Sequence, residues 1–212
     1  MKYMKIKLIM LGDTGVGKTS IISRKNNDSF SNTFSSTIGV DFASFKTVCD
    51  DCSIHTNVWD TGGQERFKFI IRSYFNDVSG VVLVYDITNH ESFEHLKMWR
   101  EELDRYEFNN RIILVGCKTD MYRKRQVSVK EASDYANEHN FLFQECSAKD
   151  DENIETMFNQ IIFAIKDDVI NGITKPTREN GISLDNISSF TIEMPNNHKS
   201  KKYPTTNCCA IL

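Results

Sequence analysis

Short apolar runs alternate with longer amphipathic segments along most of this 212-residue chain, the pattern of βαβ units and a mainly parallel sheet. The runs predict strands at Lys5–Leu11, Val40–Val48, Ser53–Asp60, Gly80–Asp86, Arg111–Cys117 and Phe141–Cys146. The amphipathic segments predict helices at Lys18–Asn26, Glu91–Tyr106, Val129–Glu138 and Ile154–Val169, with a weaker one near Phe67–Phe75. In the last strong helix Ile154, Met157, Phe158, Ile161, Ile162 and Ile165 recur at helical spacing and form one apolar face. The polar segment Cys49-Asp50-Asp51-Cys52 suits a hairpin between the second and third strands. These elements predict a doubly wound α/β domain: a mostly parallel six-stranded sheet with one antiparallel edge strand and helices on both faces.

The pattern stops after Asn171. All three prolines, Pro176, Pro195 and Pro204, lie beyond it, among Asn, Ser, Thr and Lys with no sustained period. Gly172–Asn207 therefore reads as a mobile tether with an r.m.s. reach of roughly 30 Å, in which Ile187–Met194 is apolar enough to dock. The expected organisation is a globular domain over 1–171 and a flexible tail over 172–212. Composition alters this little: 40% of residues are hydrophobic and 26% charged. A net charge of −3 gives no general attraction to nucleic acid, and a monomeric core is expected. Six scattered cysteines form no disulfide framework and point to a reducing compartment. The lysines and apolar run before Leu11 superficially resemble a leader, but the run is too short and lacks a cleavage site. No apolar stretch approaches the ~20 residues needed to span a bilayer. Membrane attachment, if it occurs, has to be covalent or peripheral.

One segment carries explicit chemistry. Gly12-Asp13-Thr14-Gly15-Val16-Gly17-Lys18-Thr19 follows an expected strand and opens an expected helix, the context of a phosphate-cradling loop. Backbone N–H groups of Asp13 to Ser20 would face the phosphates, helped by the positive end of the helix. Lys18 would reach the β- and γ-phosphates, and the Thr19 hydroxyl would ligate Mg²⁺. Kinases, ATPases and motors share such loops, so this segment alone names neither base nor reaction.

Four further blocks narrow the choice. Trp59-Asp60-Thr61-Gly62-Gly63-Gln64-Glu65-Arg66-Phe67 resembles the second switch of Ras-superfamily GTPases, and Ser36-Thr37-Ile38-Gly39-Val40-Asp41-Phe42 resembles the first. Gly116-Cys117-Lys118-Thr119-Asp120 and Ser147-Ala148-Lys149 resemble the two base-recognition loops. The resemblance covers residues 5 to about 170 and implies GTP/GDP as ligand and substrate, with Mg²⁺. It implies that Asp60 holds the metal through water, that Thr37 joins the metal shell in the triphosphate state, and that Gly63 contacts the γ-phosphate. Gln64 would align the attacking water. Asp120 would read guanine, Lys118 would pack over the base, and Ala148 would meet the guanine oxygen, with Ser147 and Lys149 in the same loop. Phe30 fits either the aromatic beside the base or a loop anchor. No intrinsic arginine finger is recognisable, so hydrolysis is expected to be slow and to depend on an activating protein.

Within the superfamily the chain is similar to Rab GTPases, which regulate vesicle trafficking. The residues that carry this are Ile38-Gly39-Val40-Asp41-Phe42, Trp59-Asp60-Thr61 and Tyr85-Asp86-Ile87-Thr88. Phe42, Trp59 and Tyr74 match the aromatics that Rabs show to effectors, although strand aromatics also serve as core. The resemblance implies an exchange factor, an activating protein, a GDP-dissociation inhibitor, an escort protein and effectors. The ending Cys208-Cys209-Ala210-Ile211-Leu212 fits a prenylation box. One prenyl group, two, or a prenyl with a palmitate on Cys208 and Cys209 would hold the protein on the cytoplasmic face of an intracellular membrane, cycling with the cytosol. Lysines of His198-Lys199-Ser200-Lys201-Lys202 would assist.

Two positions depart from the pattern. Cys117 stands where the family has Asn, and a thiol is a weak donor and acceptor. Gly62 stands where the family usually has Ala. Cys117 implies weaker nucleotide binding with guanine preference retained, and Gly62, at the hinge of the second switch, implies altered switch kinetics. The competing reading is a nucleotide-binding module that cycles poorly and acts by occupancy. An ATP-using kinase is disfavoured by Asp120. Cys49-x-x-Cys52 has no second pair nearby and reads as a hairpin with thiols; Arg123-Lys124-Arg125 reads as a solvated loop.

Overall fold

A computed structural model describes residues 2–27, 40–50, 52–61 and 77–185. Its strands are β1 (Lys2–Leu11), β2 (Val40–Cys49), β3 (Cys52–Thr61), β4 (Gly80–Asp86), β5 (Arg111–Cys117), β6 (Leu142–Cys146) and β7 (Ser183–Asp185). The helices are α1 (Lys18–Asn27), α2 (His90–Glu94), α3 (Leu96–Arg105), α4 (Val129–Glu138) and α5 (Ile154–Ile170), with a 3-10 segment at Thr119–Lys124. The six longer strands lie in the order β2-β3-β1-β4-β5-β6. Every neighbouring pair is parallel except β2 and β3, which pair from Val40 with Thr61 to Cys49 with Cys52. This is the expected mostly parallel sheet with its hairpin at one edge.

Alternation along β1 builds two cores. Met4, Ile6, Leu8 and Met10 point to a cluster with Ile21 and Ile22 of α1 and the apolar face of α5. Ile9 and Leu11 point the other way, to Phe93, Leu96, Trp99, Leu103, Ala132 and Ala136 of α2, α3 and α4. All six periodic residues of α5, Ile154 to Ile165, are buried, each contributing roughly 1.5–3 kcal/mol relative to exposure. The continuous apolar run of β4 is buried on both faces, as a central parallel strand requires.

The structure differs from the expectations in four places. The segment Glu91–Tyr106 is two helices that meet at His95, the first capped by Asn89 Oδ1 accepting from the Glu91 and Ser92 N–H groups. Arg123-Lys124-Arg125 is not a solvated loop throughout: Arg123 and Lys124 end the 3-10 segment, and Arg125 forms a bidentate pair with Glu145 at 2.6 and 2.7 Å. The sheet has seven strands rather than six. Gly172–Asn207 is not a tether throughout, because Ser183–Asp185 forms a strand of the sheet.

That last correction has a geometric cause. β4 pairs with β1 only over Leu8–Leu11, which leaves the same edge of β1 open at Tyr3–Lys5. β7 fills it antiparallel, Lys5 opposite Ser183 and Tyr3 opposite Asp185. The preceding Ile182 is 3% exposed. Gly181 makes the approach possible: at φ +64 a Cβ there would lie 1.8 Å from the Asp77 carbonyl oxygen. The Phe67–Phe75 helix and the tail from residue 186 lie outside the described residues.

Candidate functional site

The C-terminal ends of β1, β3, β4, β5 and β6 lie at one end of the sheet, where open α/β sheets bind ligands. The P-loop turns from β1 into α1 there. Lys18 is 5% exposed, and its ammonium donates to the carbonyl oxygens of Gly12 and Asp13, both at 2.7 Å. Burial pushes its pKa down to about 8, against the opposing pull of the Asp60 and Asp13 charges. A buried ammonium, held by the loop it serves, is poised for an anion. Val16 is buried, Gly15, Gly17 and Ser20 are partly buried, and Thr14 is exposed at the loop's outer side.

Asp60 stands beside this loop because Met10 and Asp60 are register partners on β1 and β3. Its carboxylate accepts a 2.5 Å hydrogen bond from Thr19 Oγ1. A buried carboxylate and a hydroxyl at the helix start are hard oxygen donors of the kind Mg²⁺ takes, so these residues fit the ion.

Across the sheet, Cys117 ends β5 and Cys146 ends β6, paired in register. Both are buried. The hydrogen bond to Cys117, together with burial, holds the Cys146 thiol well above the usual range. Cys117 lies directly under the P-loop: at Gly17, φ +113, a Cβ would meet Cys117 Sγ at 2.7 Å. The loop can pass only because residue 17 is glycine. Lys118 follows in the left-handed region at φ 72, with its ammonium 2.6 Å from Asp86 Oδ2. Asp120 Oδ1 accepts from Ser147 Oγ at 2.8 Å, and the Lys149 ammonium stands 3.8 Å from Asp120 Oδ2. Ala148 is buried, and its carbonyl accepts from Arg24 Nε at 2.8 Å. The phosphate side and the two base-side loops thus form one continuous rim.

Phe42 and Trp59 face each other across the β2–β3 pair, ring centroids 5.2 Å apart and edge to face. Phe42 is 51% exposed, so it is a surface residue rather than core. Thr37, Gly62, Gly63, Gln64, Phe30, Tyr74, Cys208 and Cys209 lie outside the described residues.

Several contacts around the rim are not readable from the sequence. Asp86 pins Lys118; Arg24 ties α1 to the Ala148 and Lys149 carbonyls. Asp13 is held from α3 and its start, by His95 Nδ1 at 2.6 Å and Trp99 Nε1–H at 3.0 Å. All of these bridge more than 30 residues of sequence, and no local pattern marks them.

An open, mostly parallel sheet whose first strand runs through a phosphate loop into a helix defines the P-loop nucleotide-binding class. Residues 7–167 match the Ras family. The chain is 41% identical over 162 residues to Ras-related protein RABD2a of Arabidopsis thaliana, a span covering 76% of this chain and 80% of that relative. This chain belongs to the Ras family and, within it, to the Rab-like small GTPases of vesicle trafficking. Membership favours a GTPase over a module acting by occupancy alone.

Proposed function

We propose that the chain is a lipid-anchored switch that recruits effectors in its GTP state and returns to the GDP state by hydrolysis stimulated by an activating protein. The observation that carries this reading is the buried Lys18 ammonium in the P-loop, on the same rim as the Asp120 carboxylate. Lys18 would bind the β- and γ-phosphates, and the Asp13 to Ser20 backbone would orient them. Asp120 would accept from the guanine N1–H and 2-amino groups, a pattern adenine lacks. Lys118, pinned by Asp86, would lie along the base. Thr19, Thr37 and Asp60 would hold Mg²⁺, which when bound neutralises charge on the phosphates. Gln64 would align the water for in-line attack on the γ-phosphate, with Gly63 contacting that group.

Phe42, Trp59 and Tyr74 would meet effectors. Regulation would come from an exchange factor, a GDP-dissociation inhibitor and an escort protein. Cys208 and Cys209 would carry the prenyl anchor on the cytoplasmic face of an intracellular membrane. Calorimetry with GDP and ADP tests the base assignment: GDP should bind ~100-fold tighter or more, since the base site's hydrogen bonds go unmade with adenine, and a preference for ADP would sink it. Replacing Gln64 with Leu should suppress stimulated turnover, and an unchanged stimulated rate contradicts its role.

A further inference from the structure

The Cys49-x-x-Cys52 segment gains a partner in the folded chain that its sequence neighbourhood does not contain. Cys49 and Cys52 are direct partners in the β2–β3 register, so their side chains leave the sheet on the same face. Opposed residues of an antiparallel pair have Cα atoms about 4.5–5.5 Å apart, inside the ~4.4–6.8 Å that a disulfide spans. The turn between them places Asp50 at φ +52.

α5 brings Lys166 to this tip from more than a hundred residues away. Its side chain is 8% exposed, a degree of burial lysine adopts only with partners. Its ammonium stands 3.2 Å from Cys49 Sγ and 3.1 Å from Asp50 Oδ2. Burial pulls Lys166 down, but the hydrogen bonds to Cys49 and Asp50 outweigh it and hold the group above the usual lysine range. The Asp50 carboxylate also accepts from Cys49 Sγ at 3.4 Å and Asp167 Oδ1 stands 3.6 Å from the ammonium, so the tip sets a carboxylate-paired ammonium, not a bare charge, against the sulfur. Such an ammonium stabilises the anionic sulfur through which thiols attack. Cys49 is partly exposed, whereas Cys52 is 8% exposed. A small reagent can meet the first sulfur and not the second. Cys117 and Cys146, at 1% and 0% exposure, are shielded from both reagent and solvent.

We propose that Cys49 and Cys52 form a redox-reactive thiol pair, oxidised by a small disulfide of the glutathione class, with Lys166 positioning the attacking sulfur's charge. The Cys49 sulfur, losing its proton, attacks one sulfur of the small disulfide, forming a mixed disulfide and releasing one thiol. Cys52 then attacks Cys49 Sγ, displaces the second small thiol and closes the Cys49–Cys52 bond. Two protein thiols are oxidised, one small disulfide is reduced to two thiols, and the two protein protons end on those thiols.

The test uses the full chain loaded with GDP, incubated with glutathione disulfide, quenched by alkylation and mapped by peptide mass. The expected product is a Cys49–Cys52 disulfide formed while Cys117 and Cys146 remain reduced. Cys52→Ser should accumulate one glutathionyl group on Cys49. Alkylation of Cys49 by iodoacetamide should slow ~10-fold in Lys166→Met as the stabilising cation is lost, and Lys166→Arg should largely restore it. Should Lys166→Met not fold, the Cys52→Ser and Lys166→Arg arms still decide. Absence of the Cys49–Cys52 bond, no mixed disulfide in Cys52→Ser, or an alkylation rate indifferent to the charge at 166 overturns the proposal.

Discussion

Lys18 serves two opposing ends in the P-loop. Its charge is what an anion needs, and its burial is what makes that charge costly to the empty protein. The folded pKa of about 8 lies below the ordinary 10.5, so between those values the unfolded chain binds more protons and stability rises with pH. A shift of this size corresponds to about 3 kcal/mol. In nucleotide-free protein, denaturation between pH 8 and 10.5 should show a rise that is absent in Lys18→Met, while that variant loses nucleotide binding. Cys117 makes a second residue-scale case. Its sulfur lies against Gly17, in the place where an amide would brace the loop. One added hydrogen bond contributes about 0.5–1.5 kcal/mol, so Cys117→Asn should slow GDP release by up to about tenfold, read by fluorescent-nucleotide chase. Both residues stand out in the linear chain. So do Asp60 and Gly17, but that Asp60 stands beside Lys18 and Gly17 against Cys117 is not written there, because side-chain apposition depends on register between strands.

At the scale of elements, the long ones are written locally and the short ones are not. β4 and β5 are continuous apolar runs, and α5 has an unbroken helical stripe; burial enforces both patterns. The N-terminus of α4 is equally plain, with Ser128 Oγ accepting from the Glu131 N–H, a Ser-x-x-Glu start. β7 has three residues and no period, and it exists because β4 starts too late to cover Tyr3–Lys5. Its anchor is Ile182. Replacing Ile182 with Ala should cost about 2 kcal/mol, the lower end for a buried isoleucine at the edge of a core. Thermal denaturation would detect it. GDP affinity should not change, since β7 pairs with the end of β1 opposite the P-loop; a parallel loss of affinity would contradict that separation. The division of Glu91–Tyr106 at His95 was likewise illegible, since the apolar stripe runs on through it.

For the molecule as a whole, one sheet end gathers the phosphate loop, Asp60 and both base loops, so ligand and fold should stabilise each other. GDP with Mg²⁺ at a hundred times its dissociation constant adds about 2.7 kcal/mol, or roughly 5–10 °C in Tm for a domain of this size. Adding a chelator should return much of that gain, and calorimetric scans with and without it give the comparison. No change in Tm on adding GDP would mean that the rim does not bind it.

The sequence by itself determined the βαβ alternation, the hairpin, the P-loop and the Ras-family blocks, because burial and close backbone approach to a ligand constrain residue type at fixed local spacing. Only the tertiary structure decided that Ser183–Asp185 joins the sheet, that His95 and Trp99 hold Asp13, and that Lys166 stands at Cys49. Those contacts join residues far apart in the chain. Their strength comes from desolvated charge and filled edges, which exist only once the sheet and its helices have set the distances.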